Sequence, residues 1–182
     1  VAFSTGAGQV EIFDLSSRQR VQQWQAHNGA IGSLAFCPGN PNWLATGSSA
    51  DGLLKLWEIS SRHVVFTADT LKGMPHCVMV AFSPSGRFLV TSASKLGALN
   101  LWEVRASVDG ATPAAVLKTS LPFLGPAAFS ADERTLAVCN ASISRYTVAL
   151  YDLSAGTLVD FGQAHYDAIG PVALSPDGNK MA

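Results

Sequence analysis

Short apolar segments alternate along this chain with short polar stretches rich in Gly, Pro, Asn, Asp and Ser. No stretch of helical length carries the i, i+3, i+4, i+7 stripe of an amphipathic helix, so the pattern favours strands. Asn40-Pro41-Asn42 and Asp51-Gly52 are typical of turns, because short polar side chains bond the local backbone and glycine accepts a positive φ. Between residues 26 and 68 the pattern predicts four strands, at Ile31–Phe36, Trp43–Ser48, Leu53–Glu58 and His63–Thr67.

This unit of strands recurs along the chain. One apolar segment appears four times, as LAFCPG, VAFSPSG, AAFSAD and VALSPDG. A second apolar segment carries an aromatic residue followed by an acid near its end, in IFDL, LWEI, LWEV and LYDL, and we call this the aromatic-acidic pair. Both anchors repeat at about 46 residues, a period typical of repeat architectures. The stretches QAHNGAIGSLAFCPG and QAHYDAIGPVALSPDG also agree in register, each with a histidine ahead of the first strand.

The repeat resembles that of the WD-repeat (WD40) β-propeller family, which has this period, four strands per unit and an aromatic-acidic pair. The resemblance implies an all-β fold of four-stranded antiparallel blades. We expect an incomplete arc of about four blades from a larger, seven-bladed propeller, with a closed four-bladed ring as the alternative. The expected division is a partial blade at 1–30, blades at 31–68, 77–118 and 125–161, and the start of another at 169–182.

The same resemblance implies a hydrogen-bonded tetrad of His, Ser or Thr, Asp and Trp inside a blade. It maps onto His27, Ser48 with Thr46 as the alternative, Asp51 and Trp57. A buried indole N–H needs an acceptor, and a histidine can link that acceptor to a carboxylate. The other repeats depart from the pattern, since Leu96 replaces Asp51 in one, and Phe13 and Tyr151 replace Trp57 in two others. We expect packing to hold those blades.

Composition narrows the possible functions. The chain of 182 residues is 48% hydrophobic and 14% charged, with a formal net charge of -1. This balance is too apolar for disorder, and it lacks the basic excess of nucleic-acid-binding domains. No apolar run is long enough for a membrane helix. We therefore expect neither nucleic acid nor membrane among the partners.

The three cysteines, Cys37, Cys77 and Cys139, form no disulfide framework and no CxxC pair. Free buried thiols are typical of a reducing compartment, which predicts a cytoplasmic or nuclear location. No catalytic motif is found, and Gly6-Ala7-Gly8 lacks the third glycine and the helix of a dinucleotide loop. We expect no enzyme activity, no metal and no cofactor.

What remains is surface for binding. The resemblance implies a rigid scaffold for protein–protein contacts within a larger assembly, whose partners are other proteins, peptide segments and the remainder of its own propeller. The alternatives are a propeller-fold enzyme of the quinoprotein or lactonase type and a regulatory propeller fused to a catalytic chain. One predicted face would suit an acidic peptide, although a scatter of solvated charges is the other interpretation. That face carries Lys72, His76, Lys95, Arg145 and Tyr146.

Overall fold

Every regular element in the part that the structure describes is a β-strand. A computed structural model describes residues 1–48, 50–69, 77–93, 98–105, 114–123, 125–142, 145–165, 172–175 and 180–182. The strands there are β1 Ala2–Ser4, β2 Gln9–Asp14, β3 Gln19–Gln25, β4 Ile31–Cys37, β5 Asn40–Ser48, β6 Leu53–Glu58, β7 His63–Asp69, β8 Cys77–Phe82, β9 Phe88–Ala93, β10 Leu99–Arg105, β11 Ala114–Leu121, β12 Ala127–Phe129, β13 Thr135–Ser142, β14 Arg145–Asp152 and β15 Leu158–His165.

These strands form four separate antiparallel sheets, each from consecutive strands. Sheet 1 contains β1 to β3, sheet 2 β4 to β7, sheet 3 β8 to β11 and sheet 4 β12 to β15. In every sheet the strand that ends in the aromatic-acidic pair lies between its two sequence neighbours. The prediction of four-stranded antiparallel units is confirmed for sheets 2, 3 and 4, and sheet 1 has three strands among the described residues.

One predicted turn is wrong. We expected Asn40-Pro41-Asn42 to form a turn, but β5 already begins at Asn40, which pairs with Cys37. The chain reverses over Pro38 and Gly39 instead, so the hairpin is tighter than predicted. The Asn40 side chain still makes a local bond, because its Oδ1 accepts the Asn42 N–H at 3.0 Å. Asparagine makes this local bond whether the backbone turns or extends.

The core is divided into three apolar clusters, one between each pair of successive sheets. Trp24, Leu44 and Trp57 belong to the cluster between sheets 1 and 2. Leu56 and Trp102 belong to that between sheets 2 and 3, and a third cluster joins sheets 3 and 4. Sheets 2 and 3 therefore bury their two faces against different neighbours, as in a stacked repeat protein.

The tryptophans of the aromatic-acidic pairs have the same role in two sheets. Trp57 of sheet 2 packs on Trp24 of sheet 1, with ring centroids 5.7 Å apart. Trp102 of sheet 3 packs on Phe66 of sheet 2 at the same separation. Each ring crosses to the last strand of the preceding sheet, so the repeated aromatic residue stabilises the contact between sheets.

Polar contacts add to the joins between sheets. Ser33 Oγ accepts the Val80 N–H at 3.0 Å, which links β4 to β8. The turns before β5 and β9 touch through glycines, and a Cβ added to Gly86 would lie 2.5 Å from Cys37 Sγ. Farther along, Glu133 accepts bonds from the backbone and the hydroxyl of Ser85, which join sheet 4 to sheet 3.

No helix among the described residues is long and apolar enough to cross a membrane. Some expectations lie outside those residues, including the position of Leu96. Of the segment at 169–182 the structure describes 172–175 and 180–182, where Leu174 pairs antiparallel with Met181.

Candidate functional site

A continuous chain of hydrogen bonds runs through the interior between sheets 1 and 2. Trp57 Nε1 donates to Thr46 Oγ1 at 2.9 Å, and the same hydroxyl lies 2.8 Å from His27 Nε2. The other ring nitrogen, Nδ1, lies 3.0 Å from a carboxylate oxygen of Asp51. His27 is 1% exposed and Thr46 is fully buried. The strands β5 and β6 position the hydroxyl and the indole, while the loop after β3 brings the imidazole over them.

The carboxylate assigns the direction of this chain, since an ionised carboxylate only accepts hydrogen bonds. His27 therefore donates from Nδ1 to Asp51 and accepts the Thr46 hydroxyl proton at Nε2, which leaves the Thr46 oxygen to accept from Trp57. Burial lowers the pKa of His27, and this outweighs the opposite effect of Asp51. The imidazole is thus neutral at pH 7, and the contact with Asp51 is a charge-assisted hydrogen bond rather than an ion pair.

Asp51 is the charged end of the chain. Burial raises the pKa of its carboxyl, but the backbone N–H of Leu53 and the His27 ring outweigh that effect, and the net pKa lies below its ordinary value. The bond from Leu53 N–H to Asp51 Oδ1 is 3.0 Å long. Asp51 thereby ties the β5–β6 turn to the loop before β4.

Thr46, and not Ser48, occupies the hydroxyl position between His27 and Trp57. Ser48 Oγ instead donates to Ala30 O at 3.1 Å and accepts the N–H groups of Ala50 and Asp51 at 3.0 and 3.1 Å. Leu44 is the direct partner of Trp57 in the β5–β6 register, and Thr46 lies across from Lys55. Thr46 is therefore the diagonal neighbour of Trp57 on the same face, which brings its hydroxyl to the indole. Ser48 shapes the turn that presents Asp51.

Lys55 is a fifth participant that the sequence did not indicate. Its ammonium donates to Ala26 O at 2.7 Å and lies 5.5 Å from the centroid of the Trp57 ring. This cation also lowers the pKa of His27, in the same direction as burial. A lysine in a strand is ordinarily a surface residue, so no sequence signal marked it.

Comparison with known proteins agrees with this architecture. The family model described as WD domain, G-beta repeat matches residues 18–58 and 69–103, which include the tetrad and both tryptophans of the aromatic-acidic pairs. Both of these segments are WD repeats.

The similar curated proteins match this chain over only part of their own length. The chain is 28% identical over 137 residues to protein groucho of Drosophila melanogaster, covering 71% of this chain and 17% of that protein. It is 30% identical over 102 residues to the WD repeat-containing protein 3 homolog of Dictyostelium discoideum, covering 50% and 11%. It is 26% identical over 93 residues to the U3 small nucleolar RNA-associated protein 21 homolog of Schizosaccharomyces pombe, covering 51% and 10%. The chain thus spans less than a fifth of the length of these curated relatives.

The WD-repeat network is reduced in the third sheet. Trp102 Nε1 donates to Thr91 Oγ1 at 3.1 Å, which repeats the Trp57–Thr46 bond. In the fourth sheet Tyr151 lies across from Leu136 and packs in an apolar cluster with Val138. Packing therefore replaces the polar network where the aromatic residue has no indole N–H.

The predicted partner-binding face remains a prediction. Lys72, His76 and Lys95 lie outside the described residues. Arg145 and Tyr146 begin β14, where they pair with Ser142 and with Ala141 and His165, but their side chains also lie outside the description. The grouping of these five residues therefore stays a prediction from the sequence.

The described residues include the strand ends that lie opposite to this predicted face. A cleft of about 250 Å³ opens there between sheets 2 and 3, and its lining includes Cys37, Trp43, Ser85 and Arg87. Burial raises the pKa of the Cys37 thiol, so the thiol stays protonated at pH 7. Within the described residues no group of three or more His, Cys, Asp or Glu side chains could hold a metal ion.

Proposed function

We propose that this WD-repeat chain is a rigid scaffold for protein–protein contacts within a larger assembly. The observation that carries the proposal is that the buried polar side chains are engaged in hydrogen bonds inside the protein. His27, Thr46 and Trp57 are bonded to one another, and Thr91 is bonded to Trp102. These groups hold the sheets, so exposed turns and outer strands are what the chain offers to a partner.

The rest of its own propeller is the first partner in this proposal. The four sheets would be successive blades with the division expected from the sequence, and further residues of the same protein would complete the ring. Support comes from sheet 1, where β1 pairs only with β2 among the described residues, and from the much greater length of the relatives. Other proteins or peptide segments would then bind the outer surface.

We place the proposed assembly inside the cell. Cys37 and Cys139 are both free and buried, as is typical of proteins from reducing compartments. One relative is named for its association with a small nucleolar RNA, which is an intracellular molecule.

Co-purification tests the proposal. The full-length protein, tagged at its native locus, is purified gently and its mass is measured by size exclusion with light scattering. We expect a complex with at least one other protein in a fixed ratio. Elution of the pure protein as an isolated monomer, at the concentration found in the cell, would contradict the scaffold function.

A further inference from the structure

The acid of the aromatic-acidic pair has a different role in sheet 3 from its role in the other sheets. Asp14 accepts the Ser17 N–H at 2.6 Å, Glu58 accepts the Ser61 hydroxyl, and Asp152 accepts the Ser154 N–H at 2.8 Å. These three acids therefore cap the turn that follows their own strand.

Glu103, the corresponding acid of sheet 3, holds two arginines instead. Its two carboxylate oxygens lie 3.1 Å from Arg87 Nη2 and 3.2 Å from Arg105 Nη2. Both arginine side chains are more than 60% exposed, at 63% and 64%. The two guanidiniums lower the pKa of Glu103, so the carboxylate stays ionised and keeps them in place. A guanidinium has five N–H donors, and most of them still face solvent here.

A third cation joins this group through a β-bulge. The register between β10 and β11 shifts at Leu101/Trp102, and the extra residue is Lys118. Its ammonium lies 5.6 Å from the centroid of the Phe88 ring, while the Arg87 guanidinium lies 5.0 Å from the same ring. Bulges re-aim side chains, and both cations lie over the buried ring of Phe88, which is directly across from Glu103. We call Arg87, Arg105 and Lys118 around Glu103 the cationic rim.

The cationic rim has more positive than negative charge. Lys118 forms no ion pair with any residue that the structure describes, and both arginines share one carboxylate. Glu133, which also lies in the field of Arg87, is bound by Ser85. Among the described residues, three cations therefore face two acids, Glu103 and Glu133, which leaves one positive charge in excess.

Apolar side chains and an unpaired strand edge adjoin the rim. Val116, directly across from Glu103, is 44% exposed and Leu117 is 47% exposed. β11 is the last strand of sheet 3 and pairs only with β10 in the described part of the chain. Such an edge accepts an extended segment, whose alternate side chains then meet those of the edge strand.

We propose that the cationic rim and the outer edge of β11 bind an extended acidic segment of a partner protein. Carboxylates of the segment would meet Arg87, Arg105 and Lys118, and its apolar residues would cover Val116 and Leu117. This inference rests on the proposed function and names the chemistry of one partner segment. It concerns a surface different from the face predicted from the sequence.

Fluorescence anisotropy tests the inference on the full-length protein. The probes are a fluorescein-labelled peptide of alternating glutamate and leucine and a matched peptide of alternating lysine and leucine. We expect the acidic peptide to bind and the basic peptide not to bind. The affinity should fall as the salt concentration rises above about 0.15 M, because exposed charges are then screened within about 8 Å. Arg105→Glu should weaken binding roughly tenfold or more, because it reverses a rim charge.

Two variants make the result specific. Arg18→Glu is the matched control, since Arg18 is an exposed arginine of a turn in sheet 1 and the change in net charge is identical. Leu117→Ser removes an exposed apolar contact and should weaken binding a few-fold without changing the salt dependence. Thermal unfolding of each variant verifies that it is folded.

The inference is overturned if the acidic peptide does not bind, if Arg105→Glu binds as tightly as the unaltered protein, or if Arg18→Glu weakens binding equally. Its failure is separable from failure of the proposed function. If the acidic peptide does not bind the unaltered protein while the purified assembly keeps its partners, the scaffold function stands and the rim assignment falls.

Discussion

Thr46 connects two buried nitrogen atoms that have no other described partner. Its hydroxyl accepts from Trp57 and donates to His27, so the network cannot be complete without an oxygen at this position. An unmade bond to a buried donor costs more than a formed one contributes.

Thr46→Val should therefore lower the free energy of unfolding by about 2–4 kcal/mol, because it leaves an indole N–H and an imidazole nitrogen buried without partners. Thr67→Val, at an exposed site on β7, is the matched control and should change stability by less than about 0.5 kcal/mol. Urea unfolding followed by tryptophan fluorescence measures both. Equal losses in the two variants would refute the assignment of Thr46.

The pH dependence of stability follows from the neutral state of His27. Its pKa is lowered from the ordinary value of 6.5, so the unfolded chain binds a proton at a higher pH than the folded chain. The contribution of His27 is fully present above pH 6.5 and is lost as the pH falls toward the lowered pKa. We expect Tm to fall below pH 6.5, and to fall less steeply in His27→Gln. An identical profile for both proteins would contradict a neutral buried His27.

At the scale of elements, the turns before β5 and β9 determine how closely sheets 2 and 3 approach. Gly86 has a φ of 79° and lies against Cys37 and the backbone of Gly39. Any Cβ here meets both a steric overlap and an unfavourable backbone conformation.

Gly86→Ala should consequently destabilise the protein by about 2 kcal/mol or more, since left-handed strain and overpacking add. Gly6→Ala is its control, because nothing lies within 4 Å of a Cβ at Gly6. Differential scanning calorimetry compares the two. If Gly86→Ala melts at the same temperature as Gly6→Ala, the close approach of these turns is not required for stability.

At the scale of the whole molecule, the three separate clusters mean that each sheet is stabilised by its immediate neighbours. Leu44 contributes to the cluster between sheets 1 and 2, and Leu101 to that between sheets 3 and 4. Both leucines are fully buried. In such an array a local loss of packing weakens nearby units first.

Leu101→Ala and Leu44→Ala should each lower the free energy of unfolding by about 2–5 kcal/mol. The two sites lie in different clusters, at opposite ends of the described array. Hydrogen exchange should rise in β9, β10 and β13 for Leu101→Ala, and in β2, β3 and β5 for Leu44→Ala. A uniform rise across all four sheets in both variants would show one cooperative core in place of coupled neighbours.

The sequence alone determined the pattern of strands, its repeat along the chain and the resemblance to the WD-repeat family. Leu53–Glu58 was predicted with its observed bounds, because Asp51-Gly52 marks the preceding turn and the aromatic-acidic pair marks the end of the strand. Local patterns of this kind depend on backbone conformation and burial, and a linear sequence records both.

Only the tertiary structure decided which side chains meet. Thr46 and Ser48 are two residues apart on one strand and point to the same face, so their sequence positions could not distinguish them. Register between β5 and β6 placed Thr46 beside Trp57, and a bulge between β10 and β11 turned Lys118 toward Phe88. The cationic rim likewise depends on three strands brought together. Register and bulges arise from pairing between distant segments, which is why the chain had to fold before these contacts existed.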